Sequence, residues 1–511
     1  MPRATKRGSA AMKSVLLRAL LGLGIAVNVG FLLINLSPER PHLARRHKAK
    51  VLVRASPWRA AWMKTNLFEE FGAARDLDIE LVTARSFGEV AALLRAEKDR
   101  PTGLLLADVN DEEGDGLREA RALMPVQDVL DTEELEEVLA DYAPEAIARA
   151  RAGGKLWFVP KRALVNVAGY LRPAVEDLYL HWEIDRKAIE AALKEANGIG
   201  LPKGYELEKT PEAWDGFDLF VAGWYWAHHP AYWAGPDDVA PAPRVAIRTG
   251  LNSAGLDDLF GAFYSHGFKD VDLKELDSPA VLDALQWRAL FLRHHLFAAV
   301  DEQPGGVDAV PVNALLKKRS VAWAPIDQAD SLWVHGGARR DAEPGMTFAV
   351  DLDWASLPVG NSVELDPKTR QPARPGRSFS LEEVHFWAIP ARAGDPRLAY
   401  ELARFVTQRG LQHRETEAVG LLPVRADIAQ DYPILFRLDW MQRMLDASYR
   451  QLQRGSGDMP NDVADKGYGR IYVEMAAAVL EGTPPVKLAE VRDRVAKFKR
   501  RLKSAEATDA R

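Results

Sequence analysis

Two short stretches of this chain carry the side chains expected to bind a small polar molecule. Asp108-Val109-Asn110-Asp111 sets carboxylates beside an amide, a pairing that grips adjacent hydroxyls from two sides, although the same residues also form Asx turns. Ser56-Pro57-Trp58-Arg59 joins a hydroxyl, an indole and a guanidinium, while Pro57 equally suits the first turn of a helix. A sugar presents hydroxyls to polar groups and an apolar C–H face to rings, and 14 Trp and 12 Tyr supply rings in plenty. Most of those rings must fill cores, so their number selects no site. Trp224-Tyr225-Trp226 follows an apolar helical stretch and reads as packing.

Catalytic and metal chemistry find less support. His228-His229 and His294-His295 are adjacent pairs, and neighbours on a helix diverge by about 100° rather than converging on one ion. No H-E-x-x-H, G-x-S-x-G or phosphate-loop pattern occurs, and Glu382-Glu383-x-His385 reads as a strand with flanking charges. Carboxylate pairs abound, but glycoside hydrolysis needs two at a fixed separation in one cleft, which spacing along a chain does not define. The sequence calls for no cofactor, no metal and no enzyme activity.

Composition narrows the class further. The 511 residues exceed what one hydrophobic core organises, so two or more domains are expected. With 67 basic and 73 acidic residues interleaved, net charge −6, no basic face suits nucleic acid. Cysteine is absent, which rules out disulfides, thiolate chemistry and lipid attachment through an N-terminal cysteine. At the N-terminus, Arg3, Lys6, Arg7, Lys13 and Arg18 precede an apolar run from Ala19 to Leu36 that contains only Asn28 and Asn35 as polar side chains. As a helix it reaches about 27 Å, nearly the hydrocarbon thickness of a bilayer, and no small-x-small cleavage pattern follows it. An uncleaved membrane helix is the expectation, followed by the basic linker up to Lys50.

Beyond residue 50, short apolar runs alternate with amphipathic helices, the pattern of a layered α/β fold. Val51-Leu52-Val53 opens as a strand, Trp62 to Ala74 as a helix, Asp78 to Thr83 as a strand, Phe87 to Ala96 as a helix and Gly103 to Ala107 as a buried strand. Ligands of such open sheets sit at the carboxyl ends of strands, which nominates the turns Ala55 to Arg59 and Asp108 to Asp111.

A series of segments in fixed order then resembles the extracellular solute-binding proteins of the maltose-binding-like group. Gly154 to Pro160 (GKLWFVP) is similar to that family's crossover out of the first lobe, and Thr210 to Asp215 (TPEAWD) to a helix start. Leu276-Asp277-Ser278-Pro279 with the helix Ala280 to His294, and the strand Arg319 to Ile326, follow in register. Val384 to Pro390 (VHFWAIP), the helix Pro396 to Gln408, Gly420 to Arg425 (GLLPVR), the helix Tyr468 to Leu480 and Glu481-Gly482-Thr483-Pro484 complete the series, which spans Val51 to Lys499. Residues 171 to 209 depart from it by being longer and more charged, and Tyr170-Leu171-Arg172 replaces the usual Tyr-Asn-Lys.

The resemblance implies a two-lobed periplasmic-binding-protein fold of the second type, α/β in both lobes, with the first lobe from 51 to 159 and 347 to 412 and the second from 160 to 346 and 413 to 500. It implies capture of a carbohydrate-like ligand for an ABC transporter, outside the cytoplasmic membrane, by a monomer with permease partners. A tethered sensor on the same fold and an anchored glycan hydrolase are the alternatives. The ligand-binding residues it points to are Ser56, Trp58 for stacking, Arg59 for hydroxyls or carboxylates, Asn110, Asp111, Trp323, Asp327 and Gln328 at a second-lobe loop, and Tyr468 at the start of a C-terminal helix.

Overall fold

The computed structural model describes residues 47–509 apart from 237, 250–252, 270, 302–314, 317, 335–350, 458–466 and 482–486. The apolar run Ala19–Leu36 lies outside the described residues, and among those described no helix is long and apolar enough to cross a membrane. Thirteen strands are described: β1 (His47–Arg54), β2 (Leu77–Ala84), β3 (Leu104–Asn110), β4 (Leu123–Met124), β5 (Arg151–Ala152), β6 (Lys155–Leu156), β7 (Phe158–Leu171), β8 (Val245–Thr249), β9 (Phe297–Asp301), β10 (Trp323–Asp327), β11 (Leu352–Ala355), β12 (Ser380–Pro390) and β13 (Ser456–Gly457).

One sheet runs β2-β1-β3-β12-β7-β10-β8-β9. Its first part, β2, β1 and β3, is parallel, and its last part, β10, β8 and β9, is parallel again. Parallel strands are covered on both faces, so β1 and β3 read as continuous apolar runs, and β3 is buried along its whole length. Between these parts lie β12 and β7, which run antiparallel to each other and to their outer neighbours β3 and β10. β7 has 14 residues, about 46 Å of extended chain, enough to serve both halves. Its residues from Phe158 to Val165 pair with β12, and those from Asn166 to Leu171 pair with β10 and β11.

The middle of β7 is irregular for a reason the sequence supplies. Pro160 has no N–H to give a central ladder, and the register with β12 skips from Pro160↔Phe386 to Arg162↔His385. Lys161 is the extra residue of this bulge. Its carbonyl accepts from Gln412 Nε2 at 2.8 Å, and its ammonium meets Asp108 Oδ2 at 2.6 Å with both side chains buried.

One apolar cluster runs through both halves; a second unites the Ser253–Ser265, Pro279–Arg293, Tyr468–Leu480 and Leu488–Asp509 helices with Phe379 and Leu381. The segment 171–209 forms two helices, Arg172–His181 and Arg186–Asn197. Leu180 and Ile184 stay exposed there, and Trp182 is buried.

Candidate functional site

Strand direction gathers the polar residues. β1 and β3 end at Arg54 and Asn110, while β8 and β10 end at Thr249 and Asp327, and the β7 register relates the two groups. Asn110 lies opposite His385, His385 opposite Arg162, and Asp327 opposite Asn166. Four residues of β7 therefore separate the two sets of strand ends, about 13 Å in the plane of the sheet. This seam is where the halves meet.

On the first-half side, Ser56 caps the Pro57–Met63 helix, its Oγ accepting from Arg59 N at 3.3 Å. Trp58 and Arg59 are half-buried on that first turn. Arg59 Nη2 reaches Glu415 Oε1 at 3.3 Å, and Arg162 Nη1 reaches the same oxygen at 3.2 Å. Asn110 is buried at the end of β3: its Oδ1 accepts from Glu113 N at 3.1 Å, capping the Asp111–Glu119 helix, and its Nδ2 donates to Glu383 Oε1 at 3.1 Å. Asp111 accepts from Arg149 Nη1 at 2.7 Å and from the Val384 amide at 3.3 Å. The expected carboxylate-and-amide pair is thus engaged within the protein, where it orients Glu383 and Val384.

Glu383 is the residue that local pattern did not single out. Its side chain keeps about a third of its surface, 33%, and stands 3.3 Å from His385 Nε2. Burial alone would raise its carboxyl, but His385, Arg54 and Asn110 outweigh that and hold it down at about 2. Two glutamates in a central strand are a signal in retrospect, since a charge there needs partners from distant segments. Glu382, on the opposite face, pairs with Arg149 Nη2 at 2.8 Å and accepts from Ser456 Oγ at 2.6 Å.

On the second-half side, Asn166 Oδ1 accepts from Arg248 Nη2 at 3.1 Å, and Arg248 also holds Asp258. Asp327 caps a short turn through the Ala329 amide at 2.8 Å, and burial together with Asp330 pushes its carboxyl up. Asp257 is raised to about 7 by burial, against the pull of Arg248, with Asp258, Glu383 and Asp327 adding to the rise. Glu383 on β12 thereby feels, and is felt by, carboxylates of the other half.

The other three expected site residues lie as follows. Gln328 is fully buried, its Nε2 donating to Ala163 O at 3.0 Å, so it ties β10 to β7. Trp323 begins β10, about 13 Å from Asp327 at the other end, and lines a partly open pocket together with Asn166, Asp257 and Asp258. Tyr468 opens its helix and packs on the second apolar cluster. Trp226 fills the core, its Nε1 donating to Ala174 O at 3.0 Å. Ser56, Trp58 and Arg59 therefore follow the end of β1, Asn110 and Asp111 stand at the end of β3 and Asp327 at the end of β10, with Glu383, Asn166 and Arg248 on the neighbouring strands β12, β7 and β8. Among the described residues no cluster of three His, Asp or Glu is arranged to hold a metal ion.

The seam carboxylates set a pH dependence. Burial raises Asp111 to about 6, partly countered by Arg149, and Asp257 to about 7, both from an ordinary 3.8. Between the ordinary and the raised values the folded protein holds protons that the unfolded chain has lost, so these groups reduce stability as pH climbs from about 4 to about 7. Glu383, held down from 4.5, contributes stability above that value that disappears as pH falls toward about 2. Urea midpoints are expected to be higher at about pH 5 than at about pH 8; equal midpoints would remove the raised carboxyls from the account.

No protein-family model and no curated protein sequence matches the chain. Solved structures do. The GacH receptor of Streptomyces glaucescens, solved free and with acarbose, superposes with a TM-score of 0.58 at 16% identity, covering 89% of this chain and 98% of that one. Maltose-bound MalE3 of T. maritima gives 0.57 at 14%, over 89% and 100%. UgpB of Mycobacterium tuberculosis with glycerophosphocholine gives 0.56 at 16%, over 90% and 99%. By these likenesses, which extend along nearly the whole of each neighbour, the chain has the two-lobed α/β fold of the maltose-binding-like solute-binding proteins.

Proposed function

We propose that the protein is an extracytoplasmic solute-binding protein that encloses a carbohydrate-like ligand in its interlobe seam and delivers it to an ABC importer. The observation that carries this reading is the chain-long fold likeness to receptors solved with acarbose and maltose, in a chain whose own strand ends on both sides of the seam carry polar residues. The proposed lobes are 51–159 with 347–412 and 160–346 with 413–500. β7 and β12 form the hinge between them, and closure buries the ligand and creates the surface a permease reads. Ala19–Leu36 is proposed to tether the protein to the outer face of the cytoplasmic membrane.

In the seam, Trp58 is assigned to stacking on an apolar sugar face, and Arg59, Glu383 and Asp327 to hydroxyls. Asn110 acts from behind by fixing Glu383, and Asp111 by holding the Val384 amide. Since Glu383 stays ionised within electrostatic reach of the half-buried Asp257, sugars that carry an amino group are the favoured subset.

A thermal-shift screen of the full-length chain against sugars, amino sugars, polyols and peptides tests the reading. A ligand at a hundredfold its Kd adds about 2.7 kcal/mol of stability. Trp58→Ala is expected to weaken the best sugar about tenfold, from loss of one stacked ring. Retained affinity would remove Trp58 from the site; a screen in which no sugar stabilises the protein would refute carbohydrate capture.

A further inference from the structure

The second-half side of the seam continues into a partly open pocket of about 160 Å³ beside the Ser253–Ser265 and Pro279–Arg293 helices. Asn166 and Asp257 belong to the seam and to the pocket wall alike, and the rest of the wall is mainly apolar, with Ile247, Trp287, Phe291 and Phe379. A ligand held at the seam can therefore extend into this pocket, and the polar groups left open there decide what the extension carries.

Most of the polar lining is already engaged. Asp258 accepts from the Arg248 amide at 2.8 Å and from Arg248 Nε at 3.0 Å. His266 Nδ1 donates to Ala262 O at 2.7 Å, and burial pushes its imidazole down, toward the neutral form. Arg288 differs. Its Nη2 crosses from the Pro279–Arg293 helix to donate to the backbone carbonyl of Asp258 at 3.0 Å, and among the described residues this is its single hydrogen bond, with no ion pair. Its Nε and Nη1 donate to nothing, and neither is sealed from solvent.

A guanidinium without a carboxylate of its own is a charge to explain. Burial lowers its pKa, and the one neighbouring charge that supports it is Asp258, which Arg248 already holds. Asp257 does not neutralise it either, because burial raises that carboxyl to about 7 and leaves it uncharged below that pH. An arginine side chain keeps its proton, so the pocket carries one positive charge in excess. Of the five N–H donors of the planar fork one is in use, so whichever Nη2 hydrogen is engaged, a two-pronged edge stays available for the two oxygens of a carboxylate.

We propose that the ligand of the seam is an acidic sugar, with its carboxylate on Arg288 and its ring and hydroxyls toward Asn166 and the strand ends; this rests on the reading of the seam as a carbohydrate site. Arg288 is then the residue that selects an acidic over a neutral sugar, separately from any amino group at Glu383. Asp257 in its uncharged form lets the anion approach without repulsion.

Glucuronate and galacturonate, each beside its neutral parent sugar, are the probes, titrated calorimetrically into the full-length chain. The uronates are expected to bind about tenfold to a hundredfold more tightly than glucose and galactose, the range for hydrogen bonds to a charged group. Arg288→Gln is expected to erase that difference while the neutral sugars bind as before, and Arg288→Lys, which keeps the charge and loses the fork, to retain part of it. The preference of the unaltered protein needs no variant, so it decides the matter should Arg288→Gln not fold. Neutral sugars that bind as tightly as the uronates, or an acid preference that survives Arg288→Gln, overturn the proposal and leave carbohydrate capture standing. If no sugar of either kind binds, carbohydrate capture falls, and benzoate tests the acid subsite alone: binding that Arg288→Gln weakens about tenfold supports it, and binding that the variant leaves unchanged, or no binding, overturns it.

Discussion

Asp108→Ala is expected to cost about 3–5 kcal/mol of stability, because it strips the bonded partner from a buried ammonium and leaves it only the weaker pull of Glu415. Asp108 and Lys161 expose 1% and 2% of their side chains and meet at 2.6 Å. Lys161 is further enclosed by the Trp387 ring, 4.1 Å below its nitrogen, and by Arg162, which lies 3.7 Å from the same carboxylate. Burial already lowers the Lys161 pKa against the pull of Asp108. Without that pull the amine loses its charge more readily, which limits the loss but does not cancel it. The double variant Asp108→Leu with Lys161→Met should recover most of the stability, since an apolar pair of similar size needs no compensation. Urea unfolding monitored by tryptophan fluorescence gives both values. A single variant within about 0.5 kcal/mol of the parent would mean that the pair is solvated in solution.

The second large effect is expected at Gly376. A methyl group there would sit 1.0 Å from the carbonyl oxygen of Gly360, and one at Gly360 would sit 2.2 Å from Ser265 Oγ. Three stretches of backbone converge at this point, joined by hydrogen bonds from Gly360 N to Arg377 O at 3.0 Å and from Arg377 N to Ser265 O at 2.9 Å. No rotamer relieves a clash between backbone atoms, so Gly376→Ala must part the segments and break both bonds. A loss of at least about 3 kcal/mol follows, the upper end for overpacking. Gly394→Ala serves as the control, because a methyl group there meets nothing within 4 Å. If Gly376→Ala melted with the control, the three-way backbone contact would be absent in solution.

The parts of the fold that local periodicity reveals are those whose burial is uniform. β1 and β3 are apolar because both faces are covered, and they stand out in the sequence. Their ends do not: Trp62 marks the expected start of the first helix, yet it begins at Pro57, capped by Ser56, and passes through a π-helical turn from Lys64 to Phe68. The carboxyl end of β3 runs on past Ala107 to Asn110, because Asp108 is neutralised by a residue 53 positions away. The crossing strands are the least legible. Lys161, Arg162, Glu382, Glu383 and His385 look like surface charges, but Arg162 bonds His385 across 223 residues and Glu415 across 253. No local pattern encodes such partners.

The same limit explains the site. Trp58, Arg59, Asn110 and Asp111 follow from the rule that open sheets use strand ends, and the structure places them where β1 and β3 end. Glu383 escaped because its neighbour Glu382 has the opposite role, one facing the seam and the other Arg149. Trp323 and Asp327 share a strand face, since residues two and four apart do, but they stand at opposite ends of β10.

The route of the chain through its central sheet has a consequence for anyone who would cut the molecule in two. A fragment ending before β7 keeps β1, β2 and β3 but leaves β3 with a bare edge, because the strand that covers it, β12, arrives some 270 residues later. A fragment starting at β7 carries that strand without its neighbour. Neither piece is a stretch of sequence that can bury its own sheet, so expression of the isolated parts should yield aggregates, whereas mixing them during synthesis, as two chains, should reconstitute one body.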